Sequence, residues 1–458
     1  MNRNKKLLLL IVVAALLRLF HLGSFSLWLD EYTSIEVATK SLADIVQGRG
    51  FDSHTPPFYY VVLNLYFSLL AVLNISISEF TLRLPSVVFD LCSIVLLYSV
   101  AKRFFAESTA FLSAVLYSLL EYPIFFAQEG RMYSLLALEC LLVLRLLLPL
   151  SELTLIKAAL LTLTTICGLY THYYFAFFTM GVGLALLFDY RAKGFVRALI
   201  AFFFAGIGFI PWVAVVLKLA SSGGQTFREF TLVSIPYSVF RFLAGYAVFP
   251  LDSITKANQL VAVKGSILIL LAYGLLSTIL LLLGLYALRR TKSYFYFLFP
   301  LLTSSIIPLL ISIKTPMFSE RYLSGVMPII CILFALALES LAGNTKKMAQ
   351  AALSLSLVYS LFCHYGGEPR FNKEQWRDVV ALLREKNLNH QVYIEPDFIK
   401  PILSFYCPEC QVLVASNFPL PPESVLVRRG STTRLVNLEK LKVISFPAES
   451  GLFVESSL

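Results

Sequence analysis

"KKLLLLIVVAALLRLFHLGSFSLWLDEYTSIE", residues 5–36, places an apolar run of membrane-spanning length directly before two adjacent carboxylates, Asp30 and Glu31. The run 5–23 has a basic head, as a cleavable signal does, but no small-x-small cleavage site follows it. It reads as a retained first span. A membrane helix needs no acids behind it to fold, so Asp30 and Glu31 either decorate a wet loop or serve chemistry at the membrane face.

Apolar runs of the same kind continue through the 458-residue chain, which is 58% hydrophobic, only 14% charged and has a mean hydropathy of +0.76. That composition belongs to a polytopic membrane protein. A helix needs about 20 apolar residues to cross the hydrocarbon, which gives about eleven crossings. They lie near 5–23, 82–101, 106–124, 134–150, 153–171, 174–189, 197–217, 265–288, 294–312, 322–341 and 347–364. With these spans the basic clusters Arg3/Lys5/Lys6, Lys102/Arg103, Lys157, Arg191/Lys193/Arg197, Arg289/Arg290/Lys292 and Lys346/Lys347 all fall on one side. By the positive-inside rule that side is the cytoplasm of a plasma (inner) membrane. The N-terminus is then cytoplasmic, and Asp30 and the tail are extracytoplasmic.

The segment 56–75 is long enough to cross, but counting it would reverse the later loops. It is predicted instead as an interfacial helix with its Tyr-rich start at headgroup level. A second interfacial helix is expected within 220–264. The formal net charge of +10 reflects the loop bias, and no basic, aromatic-interleaved patch marks nucleic acid as a partner.

Composition changes after about residue 364, where a helix-like "KEQWRDVVALLREKN" (373–387) is followed by strand-like runs at 391–396, 410–416 and 424–429 with Pro and Gly turns between them. Two domains are expected: 1–364 in the membrane and 365–458 as a small extracytoplasmic α/β domain. Cys407 and Cys410, in "CPEC", have no second ligand pair for a zinc site and read equally as a local disulfide or as two inert thiols. The other five cysteines fall in or beside apolar runs, where cysteine is a small hydrophobe.

If the outward face is a reaction site, its parts are the polar residues near span ends there. These are Asp30 and Glu31; His54 in "SHTPPFYY"; Gln128, Glu129, Arg131 and Tyr133 in "FFAQEGRMYSLL"; His172 in "LYTHYYF"; and Lys314, Glu320, Arg321 and Tyr322 in "IKTPMFSERYLSG". Short loops need some polar residues and a lone arginine often snorkels. Arg18 reads equally as snorkelling or as part of the site. Arg131 and Arg321 carry more weight, because they stand on the side kept poor in arginine and suit an anionic phosphate. A lipid-linked phosphosugar fits this set: arginine meets the phosphate, and a carboxylate deprotonates an acceptor hydroxyl. The leaving phosphate needs charge stabilisation more than a proton donor. Neither a P-loop nor a strand-borne G-x-G-x-x-G is present, which argues against a nucleotide-linked donor.

The motifs "RLFHLGSFSLWLDEYTS", "HTPPFYYVVLNLYF", "EFTLRLPSVVFDLCSIVLLYSVAKRFF", "FFAQEGRMYSLLAL", "LYTHYYFAFF" and "ERYLSGVMPII" occur in this order. In that order they resemble the motifs of GT-C membrane glycosyltransferases, most closely the glycosyltransferase family 39 group related to protein O-mannosyltransferases and aminoarabinose transferases. The resemblance implies the GT-C fold with interfacial helices and an outward cavity. It also implies an inverting transfer from a polyprenyl-phosphate sugar donor to a glycan, lipid or protein acceptor, within membrane lipid. Asp30 would be the catalytic base and Glu31 its neighbour holding the acceptor or the shape of the site. His54 and Arg321 would contact the donor phosphate. Glu129, Arg131, Tyr133, His172 and Tyr322 would complete the substrate site. Relatives often carry an aspartate where this chain has Tyr133, so a divalent metal is left open as a cofactor, with His54 and Glu129 as candidate ligands. The competing reading is a polytopic lipid or sugar transporter or flippase, which would place acids in mid-membrane and break its helices.

Overall fold

In this computed structural model the described residues are 3–48, 55–221, 234–248, 267–315, 317–366, 374–385, 391–414, 425–429, 442–444 and 452–456. They divide into two compact units, Met1–Leu22 with Val37–Gly367, and Gly23–Glu36 with Glu368–Leu458. The segment Gly23–Glu36 therefore clusters with the C-terminal residues rather than with the helices on either side of it.

Each predicted apolar run of the first unit falls on a helix. The chain forms α1 (Arg3–Leu19), α2 (Leu29–Ala38), α3 (Leu42–Val46), α4 (Phe58–Val72), α5 (Glu79–Phe104), α6 (Glu107–Leu119), α7 (Glu121–Ala127), α8 (Tyr133–Leu147) and α9 (Leu155–Thr171). It continues with α10 (Tyr174–Leu186), α11 (Phe195–Ser221), α12 (Ser234–Ala244), α13 (Ile267–Leu288) and α14 (Tyr294–Ser312). A 3-10 turn Glu320–Val326 leads into α15 (Met327–Ser340), and α16 (Gly343–Gly366) ends the unit. The two segments read as interfacial contain α4 and α12. Among the described residues five helices are long and apolar enough to cross a membrane, or six with the bent pair α6–α7 counted as one. The protein is a multi-pass membrane protein.

Burial sorts these helices. Through the Glu320–Ser340 segment 83% of the most apolar stretch is buried, against 17% for α11 and 22% for α13. The first is packed on all sides by other helices, whereas α11 and α13 show apolar faces such as Phe203, Ile210, Leu268 and Leu282 to the surroundings, as lipid-facing helices do.

Two local features shape the end of the bundle that carries the candidate residues. The axes of α6 and α7 differ by 57°, and Pro123 supplies the reason: it has no N–H for the Leu119 carbonyl and its ring would strike that carbonyl. The chain breaks at Leu120, which is extended at φ −64°, ψ 135°. The second feature is Arg18, which does not snorkel. It is fully buried in α1 and forms an ion pair with Asp90 of α5. Its remaining N–H groups donate to the carbonyls of Ala14 (3.2 Å), Ser118 (3.0 Å) and Tyr117 (3.3 Å), tying α1, α5 and α6 together.

The second unit contains a five-stranded sheet ordered β2-β1-β3-β5-β4. Its strands are β1 (Gln391–Glu395), β2 (Gln411–Val414), β3 (Val425–Arg429), β4 (Lys442–Ile444) and β5 (Leu452–Ser456). β1 pairs in parallel with β2 and β3, with Val392 opposite Val412 and Val425; β5 runs antiparallel to β3 and β4. Val392 and Ile394 alternate inward along β1, the period-2 pattern of a half-buried strand. Helix α17 (Trp376–Glu385) buries Trp376, Val379, Val380 and Leu383, which is the i, i+3, i+4, i+7 stripe of an amphipathic helix. Helix α18 (Lys400–Tyr406) is followed at once by a disulfide between Cys407 and Cys410, so of the two sequence readings the structure shows the bridge.

Candidate functional site

The turn between α7 and α8, Gln128–Met132, is held by its own polar side chains. Gln128 Nε2 donates to the carbonyls of Arg18 and Phe20, both at 2.9 Å, and so pins the turn to the end of α1. Gly130 lets the turn approach α5: a Cβ there would lie 2.5 Å from the Leu82 side chain. Arg131, only 4% exposed, donates from Nη1 to the Tyr60 hydroxyl at 3.2 Å and from Nη2 to Thr55 Oγ1 at 3.4 Å. It thereby anchors the start of α4 and the "TPP" that follows His54. His54 itself lies outside the described residues. Glu129 is buried in the same turn.

Tyr133, His172 and Tyr322 come together from α8, the α9–α10 turn and the 3-10 turn. Ring centroids are 6.2 Å apart for Tyr133–His172, 4.7 Å for His172–Tyr322 and 6.3 Å for Tyr133–Tyr322. His172 Nδ1 accepts from the Tyr174 N–H at 3.1 Å, so the neutral ring carries its proton on Nε2. Arg321 is half-buried, donates from Nε to Ser319 Oγ at 3.3 Å, and lies 6.0 Å from the centroid of Tyr322.

Several buried groups here escaped the sequence reading. Arg241 of α12 is fully buried, with its guanidinium 4.5 Å from the ring centroids of both Tyr237 and Tyr246, and it donates to the Gly245 carbonyl at 2.5 Å. Tyr246 stacks on Phe125 at 4.5 Å. Burial pushes its hydroxyl well above the usual phenol range; Glu320 and Tyr122 add to that, and Arg241 and Arg321 oppose it. Glu121 accepts from the Tyr246 N–H at 2.5 Å and meets His364 Nδ1 of α16 at 2.7 Å. Gly245, at φ +69°, makes that turn feasible, since a Cβ there would fall 1.7 Å from Glu121 Oε2. His364 Nε2 lies 3.1 Å from Gln128 Oε1, which closes a chain of polar groups from α16 through α7 to α1. In α8, Glu139 accepts from Thr171 Oγ1 at 2.9 Å, next to His172.

Asp30 and Glu31 occupy the first turn of α2, where a carboxylate also suits the positive end of the helix dipole. Glu31 is fully buried, and its Oε2 accepts from the Trp28 N–H at 3.4 Å. It stands three residues after Trp28, in the reach-back position of a capping box. Asp30, beside it in the same turn, is half-buried. Among the described residues no group of three or more His, Cys, Asp or Glu side chains is placed to hold a metal ion.

No family model matches the chain, and no curated protein sequence matches it significantly. Solved structures do. ArnT from Cupriavidus metallidurans in the apo state is 13% identical, with a TM-score of 0.62 over 99% of this chain and 98% of that chain. ArnT bound to undecaprenyl phosphate gives a TM-score of 0.59 at 13% identity, over 100% and 99% of the two chains. The archaeal oligosaccharyltransferase AglB from Archaeoglobus fulgidus, in complex with an inhibitory peptide and a dolichol-phosphate, gives 0.53 at 13% identity, over 90% of this chain and 65% of that chain. At such identity the likeness is one of architecture, and the architecture of this chain is the GT-C fold of membrane glycosyltransferases.

Proposed function

We propose that the protein transfers a sugar from a polyprenyl-phosphate-linked donor to a hydroxyl of a glycan, lipid or protein acceptor, with inversion at the anomeric carbon, at the outer face of the plasma membrane. The observation that carries this reading is the half-buried Arg321, 6.0 Å from the Tyr322 ring, in a turn that the Tyr122 hydroxyl holds through the Glu320 carbonyl at 2.6 Å. The fold that holds it is shared with an ArnT seen bound to undecaprenyl phosphate. A guanidinium partly shielded from water binds a phosphate oxygen strongly and keeps its charge throughout the reaction.

Asp30 acts as the base. It takes the proton of the acceptor hydroxyl while that oxygen bonds to C1 of the sugar; the bond from C1 to the phosphate oxygen breaks, and the lipid phosphate leaves with the electron pair. Arg321 meets the charge that develops there. Tyr133, His172 and Tyr322 wall the sugar, and His172 Nε2–H is a donor to it. Arg131, engaged with Tyr60 and Thr55, holds the start of α4 beside the sugar-binding rings. Glu31 caps α2 and fixes the first turn around Asp30.

The flippase reading gains from the bent α6–α7 pair and from Asp90 and Glu139 inside helices, but Asp90 is paired with Arg18 and Glu139 is bonded to Thr171. One experiment separates the two. Purified protein in liposomes is given a panel of labelled polyprenyl-phosphate sugars with an acceptor extract. Transfer from one donor, lost in folded Asp30→Asn and cut by about 10²-fold or more in Arg321→Gln, is expected. Donor crossing the bilayer without being consumed would establish the flippase instead.

A further inference from the structure

Within the second unit, Gly23–Glu36 contributes Asp30 to the proposed transfer, whereas its C-terminal residues have no assigned part. Within that unit the segment bearing Asp30 and Glu31 is gripped from two sides. The Leu27 N–H donates to the Tyr406 hydroxyl at 2.7 Å. The Arg377 N–H donates to Ser26 Oγ at 3.1 Å, and Arg377 Nη1 donates to the carbonyls of Gly23 (3.1 Å) and Ser24 (3.4 Å). Tyr32 packs edge-on against Phe405 at 5.8 Å.

These bonds satisfy groups that would otherwise be costly. Arg377 is the second residue of α17, so its amide has no carbonyl within the helix to bond; Ser26 serves it as a cap lent by a distant part of the chain. Leu27 and Ser26 are 0% and 3% exposed, so an amide left without its acceptor there would bear the full desolvation penalty. The grip ends directly at the turn that Glu31 caps, one helical step from Asp30.

We propose that the C-terminal unit is the positioning element of the catalytic segment, with Tyr406 and Arg377 as positioning residues that set where the Asp30 carboxylate stands. This rests on Asp30 being the base. Tyr406 ends α18, and the turn closed by the Cys407–Cys410 bridge begins at the next residue, so the residue that bears the hydroxyl directly precedes a covalently closed turn. A detached acceptor-binding module would have no need of bonds to residues 23–32.

The test uses the full-length protein in lipid nanodiscs, with amide hydrogen exchange read on peptides covering 23–36 alongside transfer kinetics. Tyr406→Phe removes the hydroxyl that accepts from the Leu27 amide, and Arg377→Ala removes the side-chain bonds to Gly23 and Ser24. Both are expected to speed exchange in 23–36 about fivefold or more and to lower kcat with KM for donor unchanged, and Arg377→Lys is expected to recover part of each effect. Unchanged exchange in both folded variants overturns the proposal, as does faster exchange with kcat intact. A rise in KM for acceptor at constant kcat overturns it too, in favour of an acceptor-binding tail. Faster exchange in a protein that transfers from no donor would sustain the grip and refute the transferase reading instead, so the two failures are distinct.

Discussion

Replacing His364 by alanine is expected to cost about 3–5 kcal/mol, the range for breaking a buried charged pair by removing one partner. His364 and Glu121 are both 0% exposed by side chain and 2.7 Å apart. Gln128 spends its amide nitrogen on the carbonyls of Arg18 and Phe20, so its oxygen faces His364 Nε2, which must carry a proton to bond it. A second proton is shared between Nδ1 and Glu121 Oε1, while Oε2 holds the Tyr246 N–H. The alanine strands the Gln128 oxygen and one Glu121 oxygen together. Glu121→Gln strands less: its oxygen keeps the Tyr246 N–H, one amide N–H donates to an unprotonated Nδ1, and Nε2–H stays on Gln128, so the loss is charge assistance and at most one unmade amide N–H bond, about 1–2 kcal/mol. The assay is thermal or denaturant unfolding in detergent, read by loss of monodisperse protein for wild type, both single variants and the double. His364→Ala is expected to fall furthest, Glu121→Gln least, and the double to lie well short of additivity, by 1 kcal/mol or more on the order of couplings seen for contacting pairs. Equal losses for the two single variants, or strict additivity, would refute this reading of the network.

The Arg18–Asp90 pair obeys the same rule with a different corollary: Asp90→Leu or Arg18→Met alone is expected to destabilise by about 3–5 kcal/mol, whereas the double apolar variant is expected to recover most of the loss. Unfolding of the same set in detergent checks this, and a double variant worse than either single one counts against it. For the tail, Cys407→Ser with Cys410→Ser opens a loop of four residues, and loop-closure entropy sets the expected loss at about 2 kcal/mol. Denaturant unfolding of the C-terminal unit, followed by the fluorescence of buried Trp376, measures it.

The helices were legible because a membrane imposes one signal, a long apolar run, and each predicted run has its helix. The break at Leu120 was not read, although Pro123 carries the cause, because the run 106–124 is uniformly apolar and a hydropathy window does not see a missing N–H. Glu121 and His364 were hidden in the same way. Each is a single polar residue at the end of an apolar run, and their separation of 243 positions leaves no local pattern. Arg241 sits in a stretch that was read only as an interfacial helix. Tyr133, His172, Arg321 and Tyr322 were legible because they stand where spans end, and the structure brings the three rings of this set within 6.3 Å of one another. In the tail, β1, β2 and β3 carry alternating β-branched residues and were foreseen; β4, three residues long, and β5, "LFVES" without such alternation, escaped. The membership of Gly23–Glu36 in the C-terminal unit is a tertiary fact, and periodicity says nothing about it.

That membership bears on how the protein is made. Leu27 and Tyr406 are 379 residues apart, and at about 5–20 residues per second the ribosome needs about 20–80 s between them. Throughout that interval the segment with Asp30 and Glu31 lacks the surface that grips it. The grip thus forms only after α16, the last described helix of the first unit, has been synthesised, and a chain released before residue 406 would occupy the membrane with that segment ungripped.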